Sequence, residues 1–194
     1  NGEKYLIKDN SHKVLVGPSE SMSKSKKNTV DPEKIIKNYG ADAVRLFILS
    51  DSPPEKDVQW SEEGIASSHK FIQKLWVLHL EIVKKINENC SSDLEDKITT
   101  FTSKFIKNIG YNLENFSYNI IVANMHEMHS FWSKEIKKNY TKKTLVESYN
   151  KILITLIPII PHFAYEALEK INQNEKLDWP TYDEKLLIEK IIPF

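Results

Sequence analysis

Residues 21–28 carry the side chains best suited to chemistry. They are, in order, Ser21, Met22, Ser23, Lys24, Ser25, Lys26, Lys27 and Asn28. Hydroxyl and ammonium groups alternate here without helical or strand periodicity, which is typical of a loop. Lysines in such a loop act on a polyphosphate as point charges, and they contribute most where negative charge develops during a reaction. Composition alone favours a solvated loop or a generic basic patch, so the order of the residues must decide.

That order resembles the KMSKS signature of class I aminoacyl-tRNA synthetases. Lys24 matches the second signature lysine, which in that family positions ATP and stabilises the transition state as the amino acid attacks the α-phosphate. The resemblance implies that Lys24 is catalytic and that ATP is bound by Met22, Ser23, Lys24 and Ser25. Ser21 stands where the family has its first lysine. This departure either weakens ATP handling or is partly offset by Lys26 and Lys27.

Further matches follow in the same order along the chain. Residues 39–47 are similar to the segment that follows the signature in the Leu/Ile/Val subgroup. Residues 157–166 resemble a helix start in that subgroup's anticodon-binding bundle, and residues 179–180 resemble the Trp-Pro pair after it. Residues 52–64 resemble the leucyl-tRNA synthetases in particular. Several separated matches in order are much harder to obtain by chance than one short motif.

The resemblance implies a ligase that joins leucine to its tRNA, with ATP as substrate and Mg²⁺ as its companion. The loop would assist adenylate formation, and the bundle would bind the tRNA body. We expect the intact enzyme to be cytoplasmic and monomeric, with leucine, ATP and the leucine tRNA as partners. The chain starts at Asn1 and contains neither a His-Ile-Gly-His-like element nor an editing insertion. We therefore expect a piece of a longer protein, inactive alone and without a bound cofactor.

Two alternatives stay open. One is a synthetase for isoleucine, valine or methionine, against which residues 53–64 argue. The other is a non-catalytic helical module that binds RNA or acts as a scaffold. A nucleotide-binding fold encoded upstream of Asn1 would favour a synthetase, whereas RNA affinity indifferent to tRNA identity would favour the module.

Composition excludes several other classes of protein. The 194 residues include 27 basic and 27 acidic side chains, which excludes a uniformly basic nucleic-acid coat and a disordered polyelectrolyte. The single cysteine, Cys90, allows no internal disulfide and no Cys-based zinc site, as is typical of a reducing compartment. Thr155 and Pro158 interrupt the longest apolar run, which is far shorter than the roughly 20 residues of a membrane helix. We predict a soluble protein without membrane contact.

The pattern of apolar residues predicts a mainly α fold, an antiparallel helical bundle preceded by a short β-containing segment. Strands are expected at residues 5–7 and 14–16 around a turn at 9–11. Helices are expected at 32–39, 41–49, 61–87, about 94–113, 117–137, from 141 and 161–171. The apolar stripes expected to be buried are Ile65, Ile72, Leu75, Trp76, Val83 and Ile86 on the helix at 61–87; Ile121, Met125, Met128 and Trp132 on the helix at 117–137; and Leu145, Tyr149, Ile152 and Leu156 on the helix from 141. The predicted domains are the end of a catalytic region (1–60), the bundle (61–176) and a connector toward a further domain (177–194).

Other polar residues divide between tRNA contact and structure. Possible tRNA contacts are Lys26, Lys27, Asn28, Arg45, Lys137 and Lys138; for the last two a solvated face is the default interpretation. His126 and His129 lie three residues apart, but they lack a third convergent ligand, and no metal site is predicted. His162 follows Pro161 and is expected to make a local hydrogen bond at a helix start.

Overall fold

The computed structural model describes residues 4–6, 9–14, 18, 20–51, 53–88, 95–171 and 177–187. The chain divides into two units, Asn1–Pro32 and Glu33–Phe194. The second unit is a mainly α bundle, which confirms the predicted fold class. No helix in the described part of the chain is long and apolar enough to span a membrane. The domain boundaries proposed after residues 60 and 176 stay predictions.

The first unit contains an antiparallel two-stranded hairpin. Its strands are β1, Lys4–Leu6, and β2, Asp9–Val14. Lys4 pairs with Val14 and Leu6 with Asp9, so the predicted turn at residues 9–11 is wrong. Those polar residues belong to β2, because cross-strand pairing outweighs their weak preference for strands. The rest of the second predicted strand, residues 15–16, falls outside the described residues.

The second unit opens with two short helices at the predicted positions. They are α1, Pro32–Tyr39, and α2, Ala41–Asp51. Gly40 joins them with a φ of 82°, a left-handed conformation that glycine adopts without strain. Its N–H donates to the carbonyl of Ile36 at 2.8 Å and closes α1.

Five longer elements and a short 3-10 helix complete the fold. Ser61 and Thr141 accept hydrogen bonds from the backbone N–H groups three residues on, at 3.1 and 3.2 Å, and so cap the first and fourth of these helices. The bounds are α3, Glu62–Asn87; α4, Glu95–Glu114; α5, Tyr118–Glu135; α6, Lys142–Leu156; α7, Pro161–Ile171; and the 3-10 helix, Glu184–Leu187.

The main core lies between α3, α4, α5, α6 and α7. The residues predicted to be buried on α5 and α6 are buried: Ile121, Met125, Met128, Trp132, Leu145, Tyr149, Ile152 and Leu156. The stripe predicted for α3 is only partly correct, since Ile72, Trp76 and Val83 are half-buried. The residues missed there are Phe71, Leu78, His79 and Ile82. Because α3 packs against α2, α5, α6 and α7, it buries a wider face than one stripe.

Candidate functional site

The signature loop, residues 21–28, is held in shape by the side chain of Asn28. Its Oδ1 accepts a hydrogen bond from the Ser23 N–H at 2.9 Å, and its Nδ2 donates to the Ser21 carbonyl at 3.4 Å. One amide therefore bridges to the start of the loop. The sequence placed Asn28 among possible tRNA contacts, and the structure adds this positioning role.

Between these ends the chain forms a turn. The Lys27 N–H donates to the Lys24 carbonyl at 3.2 Å, and Lys27 itself has a φ of 53°. The Ser23 and Ser25 hydroxyls lie 3.1 Å apart, and Ser23 Oγ accepts from the Lys26 N–H at 3.3 Å. These short-range contacts bring the hydroxyls of the predicted ATP-binding set together on one turn.

The lysines of the loop differ in their partners. Lys26 forms an exposed ion pair with Glu20, with Nζ 2.8 Å from Oε2. No described carboxylate forms an ion pair with Lys24, which is exposed like Met22. The ammonium that the sequence predicts to be catalytic is thus available to a ligand. Its catalytic role stays a prediction.

The second region is the junction of α6 and α7 together with the two α2 side chains that bind it, Asp42 and Arg45. We call this region the corner. Ile160 precedes Pro161 at the start of α7, and its apolar side chain offers no acceptor for the first helical N–H groups. Asp42 on α2 supplies one: Oδ2 accepts from the Phe163 N–H at 2.7 Å and Oδ1 from the His162 N–H at 3.3 Å. Asp42 is only 6% exposed. A carboxylate from another helix therefore caps α7.

Arg45, one turn after Asp42, binds the other side of the corner. Its Nε donates to the Ile159 carbonyl at 2.9 Å and its Nη2 to the Pro158 carbonyl at 2.6 Å. The expected local bond of His162 is instead a long-range one, with Nδ1 2.9 Å from Asp42 Oδ1. In the described contacts Arg45 serves the fold, and its contact with tRNA stays a prediction.

The neighbouring lysines predicted to contact tRNA, Lys137 and Lys138, lie in different environments. Lys138 Nζ donates to both carboxylate oxygens of buried Glu135 at 3.0 Å. Lys97 at 2.9 Å and the Tyr140 hydroxyl at 2.5 Å donate to the same carboxylate. Burial favours a higher pKa for Glu135, but these hydrogen bonds outweigh it and lower the pKa to about 2. Lys137 instead lines a groove between α3 and α5.

The two histidines of α5, His126 and His129, both contact the aromatic ring of Phe71 on α3. His126 stacks on Phe71 with ring centroids 3.7 Å apart, and His129 meets the same ring edge-on at 6.0 Å. The pKa of His129 is lowered mainly by burial and to a smaller extent by the charge of Lys74. The pKa of His126 is likewise lowered mainly by burial, and then by His129 and Lys74. In the described ranges no group of three metal-ligating side chains comes together.

Comparison with known protein families gives two consecutive matches. Residues 14–61 match the family of class I tRNA synthetases for I, L, M and V. Residues 95–192, half of the chain, match the anticodon-binding domain of tRNA ligases. The chain belongs to the class I tRNA ligase family. The first match includes the signature loop, and the second includes α4 to α7.

Within this family the chain is similar to named leucine–tRNA ligases. It is 35% identical over 190 residues to that of Rickettsia africae and 38% identical over 191 residues to that of Rickettsia bellii. Each alignment covers 96% of this chain but only 23% and 22% of the relative. The chain therefore spans less than a quarter of the length of these relatives.

A solved structure shows the same fold. The match is LeuRS of Agrobacterium radiobacter in a ternary complex with tRNA and LeuAMS, with a TM-score of 0.76 and 21% identity. It covers 86% of this chain and 23% of that one. The likeness establishes the arrangement of the elements.

Proposed function

We propose that this chain is the part of a leucine–tRNA ligase that contains the signature loop and the anticodon-binding bundle. The observation that carries the proposal is similarity to leucine–tRNA ligases along 96% of the chain. The signature loop and the matched family of class I synthetases support ATP as a substrate of the intact enzyme. A cytoplasmic location and a monomeric state belong to the same proposal and stay predictions.

In this proposal the intact enzyme first activates leucine. A leucine carboxylate oxygen attacks the α-phosphorus of ATP, the bond to the bridging oxygen breaks, and pyrophosphate leaves with the electron pair. Lys24 stabilises the negative charge that builds on the phosphates, and the Ser23 and Ser25 hydroxyls lie on the same turn to donate hydrogen bonds. Mg²⁺ would accompany ATP. Among the described residues no group of three His, Cys, Asp or Glu side chains comes together to hold the metal.

The bundle would then hold the tRNA, so that activated leucine can be transferred to its 3′ end. Exposed lysines on the bundle support this role, because phosphate contacts supply affinity without reading sequence. The net charge of zero is compatible with such contacts, since they need only a local basic surface.

Amino-acid-dependent exchange between pyrophosphate and ATP tests the proposed function in the full-length protein. We expect leucine to support exchange far better than isoleucine, valine or methionine. Exchange that depends on one of those three would assign the chain to a sister enzyme. Absence of exchange with all four, together with RNA affinity indifferent to tRNA identity, would favour a non-catalytic RNA-binding module.

A further inference from the structure

A groove of about 490 Å³ lies on the surface between α3 and α5. The two helices run in the same direction, because Phe71 stacks on His126 at one end while Lys85 reaches Asn139 at the other. The α3 residues that line the groove run from Lys70 to Glu81, a stretch about 17 Å long at 1.5 Å per residue. The groove is therefore elongated rather than a compact pocket.

Three lysines give the groove its charge. Lys70 and Lys74 lie one turn apart on α3, and Lys137 approaches from the end of α5. All three are exposed, and none forms an ion pair with a carboxylate in the described part of the chain. The one carboxylate among the lining residues is Glu81. The three lysines outnumber this carboxylate, so the lining carries a net positive charge.

Neutral groups complete the lining. Gln73 and Ser133 offer hydrogen bonds, and Val77 forms part of an apolar floor with its side chain 57% exposed. His129 also lines the groove, and burial together with Lys74 holds its pKa below the ordinary value of 6.5. At neutral pH this ring can exchange hydrogen bonds without adding charge.

We propose that this groove binds the phosphodiester backbone of RNA through Lys70, Lys74 and Lys137. The inference rests on the proposed function, which supplies tRNA as the RNA. An extended row of lysines suits successive phosphates, to which each ammonium binds as a point charge. A protein partner is less suited, because protein interfaces are depleted in lysine and depend on aromatic or arginine anchors.

The contrast with Lys138 supports this choice of residues. The Lys138 ammonium is already bound by Glu135, a carboxylate that it shares with Lys97. Lys137, its neighbour in sequence, is directed to the groove. Of the two neighbouring lysines predicted from sequence to contact tRNA, Lys137 and Lys138, the proposal therefore keeps Lys137, and it adds Lys70 and Lys74.

The test measures the affinity of the full-length protein for leucine tRNA at several salt concentrations. The double variant Lys70→Glu/Lys74→Glu should bind roughly tenfold or more weakly at 0.1 M salt, because two phosphate contacts become repulsive. The slope of log K against log salt should fall by about one for each lysine lost. The single variant Lys74→Glu has a matched control, Lys107→Glu, which reverses the charge of an exposed lysine on α4 outside the groove. The control should change the affinity for tRNA less than twofold.

The melting temperature of each variant confirms that it is folded. If the charge reversals unfold the protein, Lys70→Gln/Lys74→Gln makes the same test and should lower the slope equally. Affinity within twofold of wild type and an unchanged slope in a folded groove variant would overturn the proposal and leave the groove to an acidic protein. Leucine-dependent exchange by the wild type is measured separately, since its absence would defeat the proposed function and not the RNA groove.

Discussion

The signature loop and the corner both match family motifs, yet they are built in opposite ways. The side-chain contacts of the loop connect residues at most seven apart and are exposed. In the corner, Asp42 and Arg45 contact residues 113 to 121 positions away, and Asp42 is buried. Exposed groups with local support remain available to a ligand, whereas groups with long-range partners, exposed like Arg45 or buried like Asp42, stabilise the fold. A motif match alone does not distinguish these two roles.

The largest expected effect is the loss of pyrophosphate exchange when the proposed catalytic lysine of the loop is removed. Lys24→Ala should slow pyrophosphate exchange roughly 100-fold or more, since losing one preorganised transition-state contact costs about 3 kcal/mol. Leucine affinity should change much less, because the lysine acts on the phosphates. Lys34→Ala, at an exposed lysine on α1, is the control. A wild-type exchange rate in Lys24→Ala would remove Lys24 from the mechanism.

The next largest effect is expected in the corner. Asp42→Ala removes the cap of α7 and leaves its N–H groups without an acceptor, which should cost about 2–3 kcal/mol of unfolding free energy. Urea unfolding of the chain measures this loss. Asp57→Ala, at an exposed acid, should be nearly neutral. A neutral Asp42→Ala would show that the corner does not stabilise the fold.

A second buried carboxylate, Glu135, makes the stability of the bundle depend on pH. Hydrogen bonds from Tyr140, Lys97 and Lys138 outweigh burial and lower the pKa of Glu135 from 4.5 to about 2, so its ionised form stabilises the native state. That contribution is present above about pH 4.5 and is lost as the pH falls toward 2.

Glu135→Gln should therefore cost about 2 kcal/mol at pH 7 through weaker hydrogen bonds, and the cost should shrink below pH 4.5. Urea unfolding at several pH values measures it. Glu147→Gln, in an exposed pair with Lys143, is the control. A cost that does not change with pH would contradict the assigned pKa.

Substituting Arg45 should have a smaller effect on stability, and it distinguishes a structural role of Arg45 from a tRNA contact. A lysine cannot donate to two carbonyls in the geometry of the guanidinium fork, so Arg45→Lys should cost about 1 kcal/mol of stability. Urea unfolding and tRNA affinity are measured in parallel. A loss of tRNA affinity without a loss of stability would favour the tRNA contact over the structural role.

The smallest effect is expected for the exposed ion pair of the loop. Lys26→Ala removes the contact with Glu20 and should change the unfolding free energy by less than about 0.5 kcal/mol. Urea unfolding checks this value. A loss comparable to that of Asp42→Ala would erase the energetic difference between the loop and the corner.

Sequence predicted the features that depend on neighbouring residues. Pro32, Gly40, Ser61, Thr141 and Pro161 mark helix ends through their own backbone and side-chain chemistry, and each lies where it was expected. The loop was likewise recognisable from consecutive residues.

Features that depend on tertiary contacts were missed. The partnership of Asp42 with His162 and Phe163 joins distant residues, and the width of the buried face of α3 depends on four other helices. The groove was missed because Lys70 and Lys74 meet Lys137 only after α3 and α5 pack together. The spacing of four between the two α3 lysines was the available signal, but it is common on solvated helices.

The most direct test of the division between loop and corner measures exchange rate and urea midpoint for wild type, Lys24→Ala and Asp42→Ala. We predict that Lys24→Ala loses most of its exchange activity at an unchanged midpoint, whereas Asp42→Ala has a clearly lower midpoint. The account would be contradicted if Lys24→Ala had the exchange rate of the wild type. It would also be contradicted if the urea midpoint of Lys24→Ala were as low as that of Asp42→Ala.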